Sequence, residues 1–230
     1  MFEKISKEIR AHVDPEKQAF FPRFFKTGKG EYGEGDIFLG VTVPQMRTVA
    51  KQFLEADFST LQKLLASKFH EDRLVGLFIL VYQYQKKWAD KKKIIDFYLA
   101  NLKAVNNWDL VDATAPALLG DYLIEWNHEM LFEFARSDNL WKKRISIIST
   151  LGFIRKWLLK PSLLLAEVLI NDSHDLIHKA VWWVLREVGK KDTELLRKFL
   201  TKRASTMPRT ALRYSLEHFD KQERKIFMSI

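Results

Sequence analysis

Five stretches of this chain begin with a polar residue and continue as an apolar segment of helical length, and they recur at a nearly constant interval. They start at Arg73, Asp109, Arg144, Lys179 and Arg209, which places them 36, 35, 35 and 30 residues apart. A unit of that size cannot bury its apolar face alone, so neighbouring units must stack into one continuous core. Within the segments the apolar residues recur at three and four. Leu74, Leu77, Phe78 and Val81 share a helical face, as do Ile145, Ile148, Leu151 and Gly152. Nine glycines and six prolines in 230 residues supply too few turns for an all-β domain. Ten or more helices of about 10–18 residues would account for nearly the whole length.

The fold expected is all-α: an α-solenoid of HEAT-like helix pairs with a basic concave groove, forming a single domain over residues 1–230. Start signals support the helices. Asp14 precedes Pro15 as a cap before a first-turn proline, and Thr42 with Gln45 forms a capping box. Asp172 with Asp175 is a looser box, and Thr206 before Pro208 opens the last repeat. Four of the nine glycines (Gly28, Gly30, Gly33 and Gly35) fall between Thr27 and Asp36, read here as a flexible flap. That stretch lacks the residue order of a phosphate-binding loop.

Stacked second helices would bring the first-turn residues Arg73, Asp109, Arg144, Lys179 and Arg209 into one row along the groove. The bland reading is a set of solvated helix starts. Basic residues at a helix N-terminus oppose the macrodipole, however, so four of them favour a groove read by an anion. Lys and Arg total 38 against 29 Asp and Glu, a formal charge of +9, which points first to nucleic acid and second to an anionic membrane. Absence of cysteine excludes disulfides, thiolate metal sites and thiol nucleophiles, and fits an intracellular, cytoplasmic protein. Residues 1–14 lack the apolar core of a signal peptide, and no stretch reaches the roughly 20 apolar residues of a membrane span.

One repeat departs from the basic pattern. Asn107-Trp108-Asp109-Leu110-Val111-Asp112 places an aromatic ring and two carboxylates at the head of a helix. Trp108 and Asp112 are four apart and share a face. A carboxylate there either pairs with a neighbouring arginine or carries chemistry. Asp109 is expected to cap its helix or orient a neighbour. Trp141 and Trp183 lie in the following repeats, and of the adjacent Trp182 and Trp183 one can face the core and the other the groove. Aromatics interleaved with basic residues suit contact with sugars and bases.

These residues carry a resemblance. Phe38-Leu-Gly-Val-Thr-Val-Pro44, Trp108-Asp-Leu-Val-Asp112 with Leu119-Gly-Asp-Tyr122, Asp138-Asn-Leu-Trp-Lys-Lys-Arg144, and Lys179-Ala-Val-Trp-Trp-Val-Leu-Arg-Glu187 resemble the AlkD family of DNA alkylation repair glycosylases, from about Pro15 to Phe219. The resemblance implies excision of cationic N3- and N7-alkylated purines from duplex DNA, without flipping the base into a pocket. It implies that Trp108, Asp112, Arg144 and Trp183 are the catalytic groove residues. It also implies duplex DNA with alkylated bases as the partner, with no cofactor, metal or obligate protein partner, a monomer, and no membrane. Lys143, Lys179, Arg209, Arg213 and Phe24 are the further expected DNA contacts. Phe24 is a departure: catalytic members tend to carry a tyrosine there, so a hydroxyl contact to DNA is lost.

Such a substrate suits this set of residues. An alkylated, cationic purine is already a good leaving group and needs no general acid. One carboxylate can then stabilise the oxocarbenium-like sugar and orient water. Sugar-polymer hydrolases need a pair. Two other motifs are weaker. His174 and His178 stand four apart like zinc ligands, but no third ligand motif follows. Lys86-Lys87 with Lys91 to Lys93 reads as a solvated turn between helices. Two alternative functions stay open: a noncatalytic relative binding bent or branched DNA, and a protein-binding HEAT scaffold.

Overall fold

The computed structural model describes residues 1–125 and 127–230. Among them are 15 α-helices and three short 3-10 segments, with no strand beyond an isolated bridge between Ile37 and Phe69. Contacts divide the chain into two compact units, Met1–Thr114 and Ala115–Ile230. The first holds α1 (Phe2–Arg10), α2 (Pro15–Phe24), α3 (Val43–Gln52), α4 (Phe58–Leu65), α5 (His70–Tyr84), α6 (Lys91–Ala100) and α7 (Trp108–Asp112). The second holds α8 (Leu119–Tyr122), α9 (Glu129–Arg136), α10 (Leu140–Arg155), α11 (Lys160–Leu169), α12 (Asp175–Lys191), α13 (Thr193–Arg203), α14 (Arg209–Ser215) and α15 (Lys221–Ser229). Each unit is built of successive helix pairs, the α-solenoid arrangement that the repeat period implies. No described helix is long and apolar enough to cross a membrane.

The recurrent segments are the second helices of the pairs: α5, α7, α10, α12 and α14. Two of them are more enclosed than an amphipathic stripe requires. In α5 every residue from His70 to Val81 is buried, and in α10 every residue from Arg144 to Ile154. A helix packed on all sides loses its polar face. α3 and α4 pack on α5, while α9, α11, α12 and α8 pack on α10. Leu74, Leu77 and Leu80 are fully buried, each worth about 2 kcal/mol relative to exposure.

The start signals divide. Asp14 accepts from the N–H groups of Glu16 and Lys17 ahead of Pro15, and Gln45 Oε1 accepts from the Thr42 N–H. Asp172 does not cap α12; His174 does, its Nδ1 accepting from the Leu176 N–H. Asp172 instead accepts from the His174 N–H, one step earlier. Thr206 ends a 3-10 turn, and Pro208 occupies the cap position of α14.

Two glycines in the second unit are obligatory. A Cβ on Gly120 would meet the Ser149 carbonyl oxygen at 2.2 Å, and one on Gly152 would meet the Pro116 oxygen at 2.6 Å and Gly120 carbonyl carbon at 2.7 Å. α8 and α10 therefore touch backbone to backbone.

Candidate nucleic-acid interface and active site

α7 is a helix of one and a half turns, started by Asn107, whose side chain accepts from the Trp108 N–H. It presents Trp108 and Asp112 on one face, both half-buried. α2 ends beside it. Phe24, half exposed, meets Trp108 edge-on at 5.8 Å between ring centroids, and Phe25 stacks on Trp108 at 5.3 Å. Phe20 stacks on Phe24 in turn, at 5.9 Å. The first unit thus brings together three of the expected site residues, Phe24, Trp108 and Asp112, in an aromatic patch with a carboxylate.

Asp109 points elsewhere. The cap is Asn107, and Asp109 Oδ2 faces His70 Nε2 at 2.8 Å. Its expected role as a cap is therefore corrected, and its alternative role, orienting a neighbour, is the observed one. The other nitrogen of His70 faces Asp36 Oδ2 at 2.9 Å. Asp36 also accepts from Arg73 and from Asn107 Nδ2. Burial works to lower the His70 pKa, but the flanking carboxylates of Asp109 and Asp36 outweigh it and raise the value to about 9. Burial likewise works to raise Asp36, and His70 and Arg73 outweigh it, holding the carboxyl below its ordinary range.

Arg73 is therefore not an exposed member of a phosphate-facing row. It is 5% exposed and engaged by Asp36, Asn106 and the Ser67 carbonyl. It also stands fourth in its helix, one turn in from the N-terminal end where the macrodipole acts. The row fails for the same reason at Asp109.

His70 opens a run of four buried ionisable residues, His70-Glu71-Asp72-Arg73, of which the sequence pattern singles out only Arg73. Glu71 accepts from the N–H groups of Leu39, Gly40 and Val41, and its burial raises its pKa. Gly40 has φ +84°, and a Cβ there would strike the Asp14 carbonyl at 2.3 Å. The stretch Phe38–Pro44 is thus a structural corner. Asp72 takes both terminal nitrogens of Arg10, at 2.9 and 3.0 Å. The signal available was the run itself, since four consecutive ionisable residues ahead of an apolar helix need partners if that helix is central.

In the second unit, Arg144 is 4% exposed, with its guanidinium donating to the Leu176 carbonyl. Lys143 pairs with Asp172 at 2.7 Å. Burial works to raise Asp172, and the Lys143 bond outweighs it, lowering the carboxyl. Lys179 is exposed and pairs with Asp175 one turn back at 2.8 Å. Arg209 is exposed and donates to the Met228 carbonyl; Arg213 is exposed beside the Tyr214 ring. Trp182 and Trp183 are both half-buried, so neither is the fully buried core partner expected; Trp182 stacks on Tyr214 at 4.6 Å.

The histidine pair of α12 is occupied locally, His174 as the cap and His178 against the Asp172 carbonyl. Among the described residues no cluster of His, Asp and Glu could hold a metal ion. In the lysine-rich stretch after α5, Lys86 pairs with Glu55, while Lys91 to Lys93 form the first turn of α6, where Lys92 pairs with Asp96.

Comparison with curated protein sequences gives no match. Among solved structures, the chain is similar to a predicted DNA alkylation repair enzyme from Enterococcus faecalis. The TM-score is 0.72 at 17% identity, covering 91% of this chain and 98% of that one, a likeness of fold. The profile described as DNA alkylation repair enzyme matches residues 5–219, a span that takes in α7, its aromatic neighbours and the basic helix starts of the second unit. With nearly the whole chain matched, this protein belongs to the DNA alkylation repair enzyme family.

Proposed function

We propose that this protein is a monofunctional DNA glycosylase that excises cationic N3- and N7-alkylated purines from duplex DNA. The observation supporting this reading most directly is the single face of α7, where Trp108 and Asp112 stand together at the edge of Phe24 while Asp109 is engaged by His70. One carboxylate is thereby assigned to structure and the other to the face with the aromatic ring.

The chemistry needs only one. Heterolysis of the C1′–N bond sends its electron pair to the purine, which leaves neutral because it was already positively charged. The sugar becomes oxocarbenium-like. Asp112 stabilises that charge and orients a water, which adds to C1′ and gives its proton up to the carboxylate or to solvent. Trp108 and Phe24 exclude bulk water, which strengthens the carboxylate's effect. Phe24 provides hydrocarbon contact and cannot donate a hydrogen bond.

For DNA contact in the second unit, the reading assigns Lys143, Lys179, Arg209 and Arg213 to phosphates, and Trp183 to the sugar. Arg144 is sunk beneath the surface and so contributes positive field more than an exposed clamp.

The test is release of free base by the purified protein from methylated duplex DNA. 7-Methylguanine and 3-methyladenine should be released, and uracil and hypoxanthine should remain largely uncleaved, because neutral bases depart poorly without an acid. Duplex binding without any release would favour the noncatalytic alternative, and absence of salt-dependent duplex affinity would favour a protein-binding scaffold.

A further inference from the structure

We propose that His70 is a positioning residue of this site: its ring, clamped between Asp36 and Asp109, ties the 27–36 loop to the first turn of α7 and so fixes where Trp108 and Asp112 stand. The functional consequence rests on the glycosylase reading; the clamp itself rests on geometry.

Both ring nitrogens face carboxylate oxygens, at 2.9 and 2.8 Å, and the side chain is 1% exposed. With both carboxylates ionised, each ring nitrogen must donate, which makes the ring an imidazolium. The groups facing it close as a neutral set. Asp36 and Asp109 carry two negative charges, balanced by His70 and by Arg73, which also bonds Asp36. Asn107 adds an N–H to Asp36, and Glu71, next in sequence, directs its carboxylate at the backbone of residues 39–41. A histidine kept only for packing would need neither carboxylate.

Two routes lead from this ring to the site. The first is through hydrogen bonds: Asp109 is adjacent in the chain to Trp108 and precedes Asp112 by less than one turn. The second is through stacking: His70 lies on Phe38 at 4.5 Å, Phe38 on Phe25 at 4.6 Å, and Phe25 on Trp108 at 5.3 Å. The loop end is fitted just as closely. A Cβ on Gly33 would meet the Phe25 carbonyl at 2.5 Å and Asn107 Nδ2 at 3.2 Å, so the loop reaches the α7 cap only as glycine. The raised His70 pKa, about 9, agrees with an imidazolium at neutral pH.

The experiment reads the Trp108 environment in the full-length protein labelled with 5-fluorotryptophan, its ¹⁹F resonance assigned by Trp108→Phe. In the wild type that resonance should titrate with an apparent pKa near 9. His70→Gln, which keeps an N–H donor without the charge, should shift it and abolish the titration. Single-turnover base release by His70→Gln should fall roughly 10- to 100-fold, with duplex affinity changed less than about 2-fold, as expected of a misplaced rather than missing group. A Trp108 resonance that His70→Gln leaves in its wild-type position overturns the proposal. So does wild-type release by His70→Gln. The resonance is read without substrate, so the clamp is decided even if the wild type releases no base, a result that would count against the glycosylase reading alone.

Discussion

The starts of α5 and α12 occupy the same place in the repeat and hold similar residues, yet they use them in opposite ways. At α5, His70, Glu71, Asp72 and Arg73 are all buried, and each reaches a partner on another element: Asp36 and Asp109, the Leu39–Val41 backbone, Arg10, and Asp36 with Asn106. At α12, His174, His178 and Lys179 find partners within their own turn or the residues just before it. Buried charge must be matched and so acts as a tertiary cross-link. Exposed pairs contribute little to stability and leave their field to a polyanion. Under the proposed function, the first unit carries the carboxylate chemistry and the second the phosphate contacts.

The largest effect that separates these roles is on rate. Asp112→Asn should lower single-turnover release of 7-methylguanine by about 10²–10³, the scale for losing one preorganised electrostatic group. Duplex affinity should hold or rise slightly as one like charge is removed. Rate retained with affinity lost would invert the assignment of chemistry to the first unit.

Next comes stability. Asp36→Asn leaves His70 and Arg73 without their shared carboxylate and should cost about 3 kcal/mol, measured by urea denaturation. Lys179→Ala breaks an exposed pair within α12 of the second unit and should cost under about 1 kcal/mol. Equal costs would erase the contrast between cross-link and surface pair.

The same clamp sets the pH dependence. The folded pKa of His70 is raised above its unfolded value of 6.5, so its stabilisation is complete below pH 6.5 and disappears as pH rises through about 9. Asp36 is lowered, so its contribution is present above 3.8 and lost in acid. Thermal midpoints of the wild type should fall between pH 6.5 and 9, and those of His70→Gln should fall less over that window. The smallest effect is on salt. Arg213→Ala should reduce the slope of log affinity against log salt by about one unit, with the saturated single-turnover rate unchanged. An unchanged slope would remove Arg213 from the phosphate contacts.

Much of the fold could be read from the residues because periodicity and capping act locally. The five recurrent segments are all second helices, and Asp14 and Gln45 act at their helix starts as expected. Phe24 is singled out through resemblance as a DNA contact, and its contact with Trp108, 84 positions away, follows from no local rule. What escaped was the role of charge at α5. Ionisable residues at a helix start read as solvated, and burial depends on how completely neighbouring helices enclose that start. The partner of His70 and Arg73, Asp36, sits at the end of a glycine-rich stretch whose composition suggests freedom, while Asp36 itself is 9% exposed and bound from three sides. The second unit shows the complementary lesson. Arg144 stands five residues into α10 and is enclosed, whereas Lys179, five residues into α12, remains exposed.

The contact of Gly120 with Gly152 also bears on how the sequence can drift. A side-chain clash can be relieved by trimming the opposing side chain at a second site. Here the opposing atoms are the Ser149 and Pro116 carbonyls and the Gly120 backbone, which every amino acid carries. No partner substitution makes room, so neither glycine has a compensated path to another residue while α8 and α10 keep this crossing. Descendants of this sequence would have to separate the two helices before either position could vary, and repacking α10 would then disturb the helices on its other sides. The pair should remain frozen long after the surrounding apolar residues have exchanged with one another.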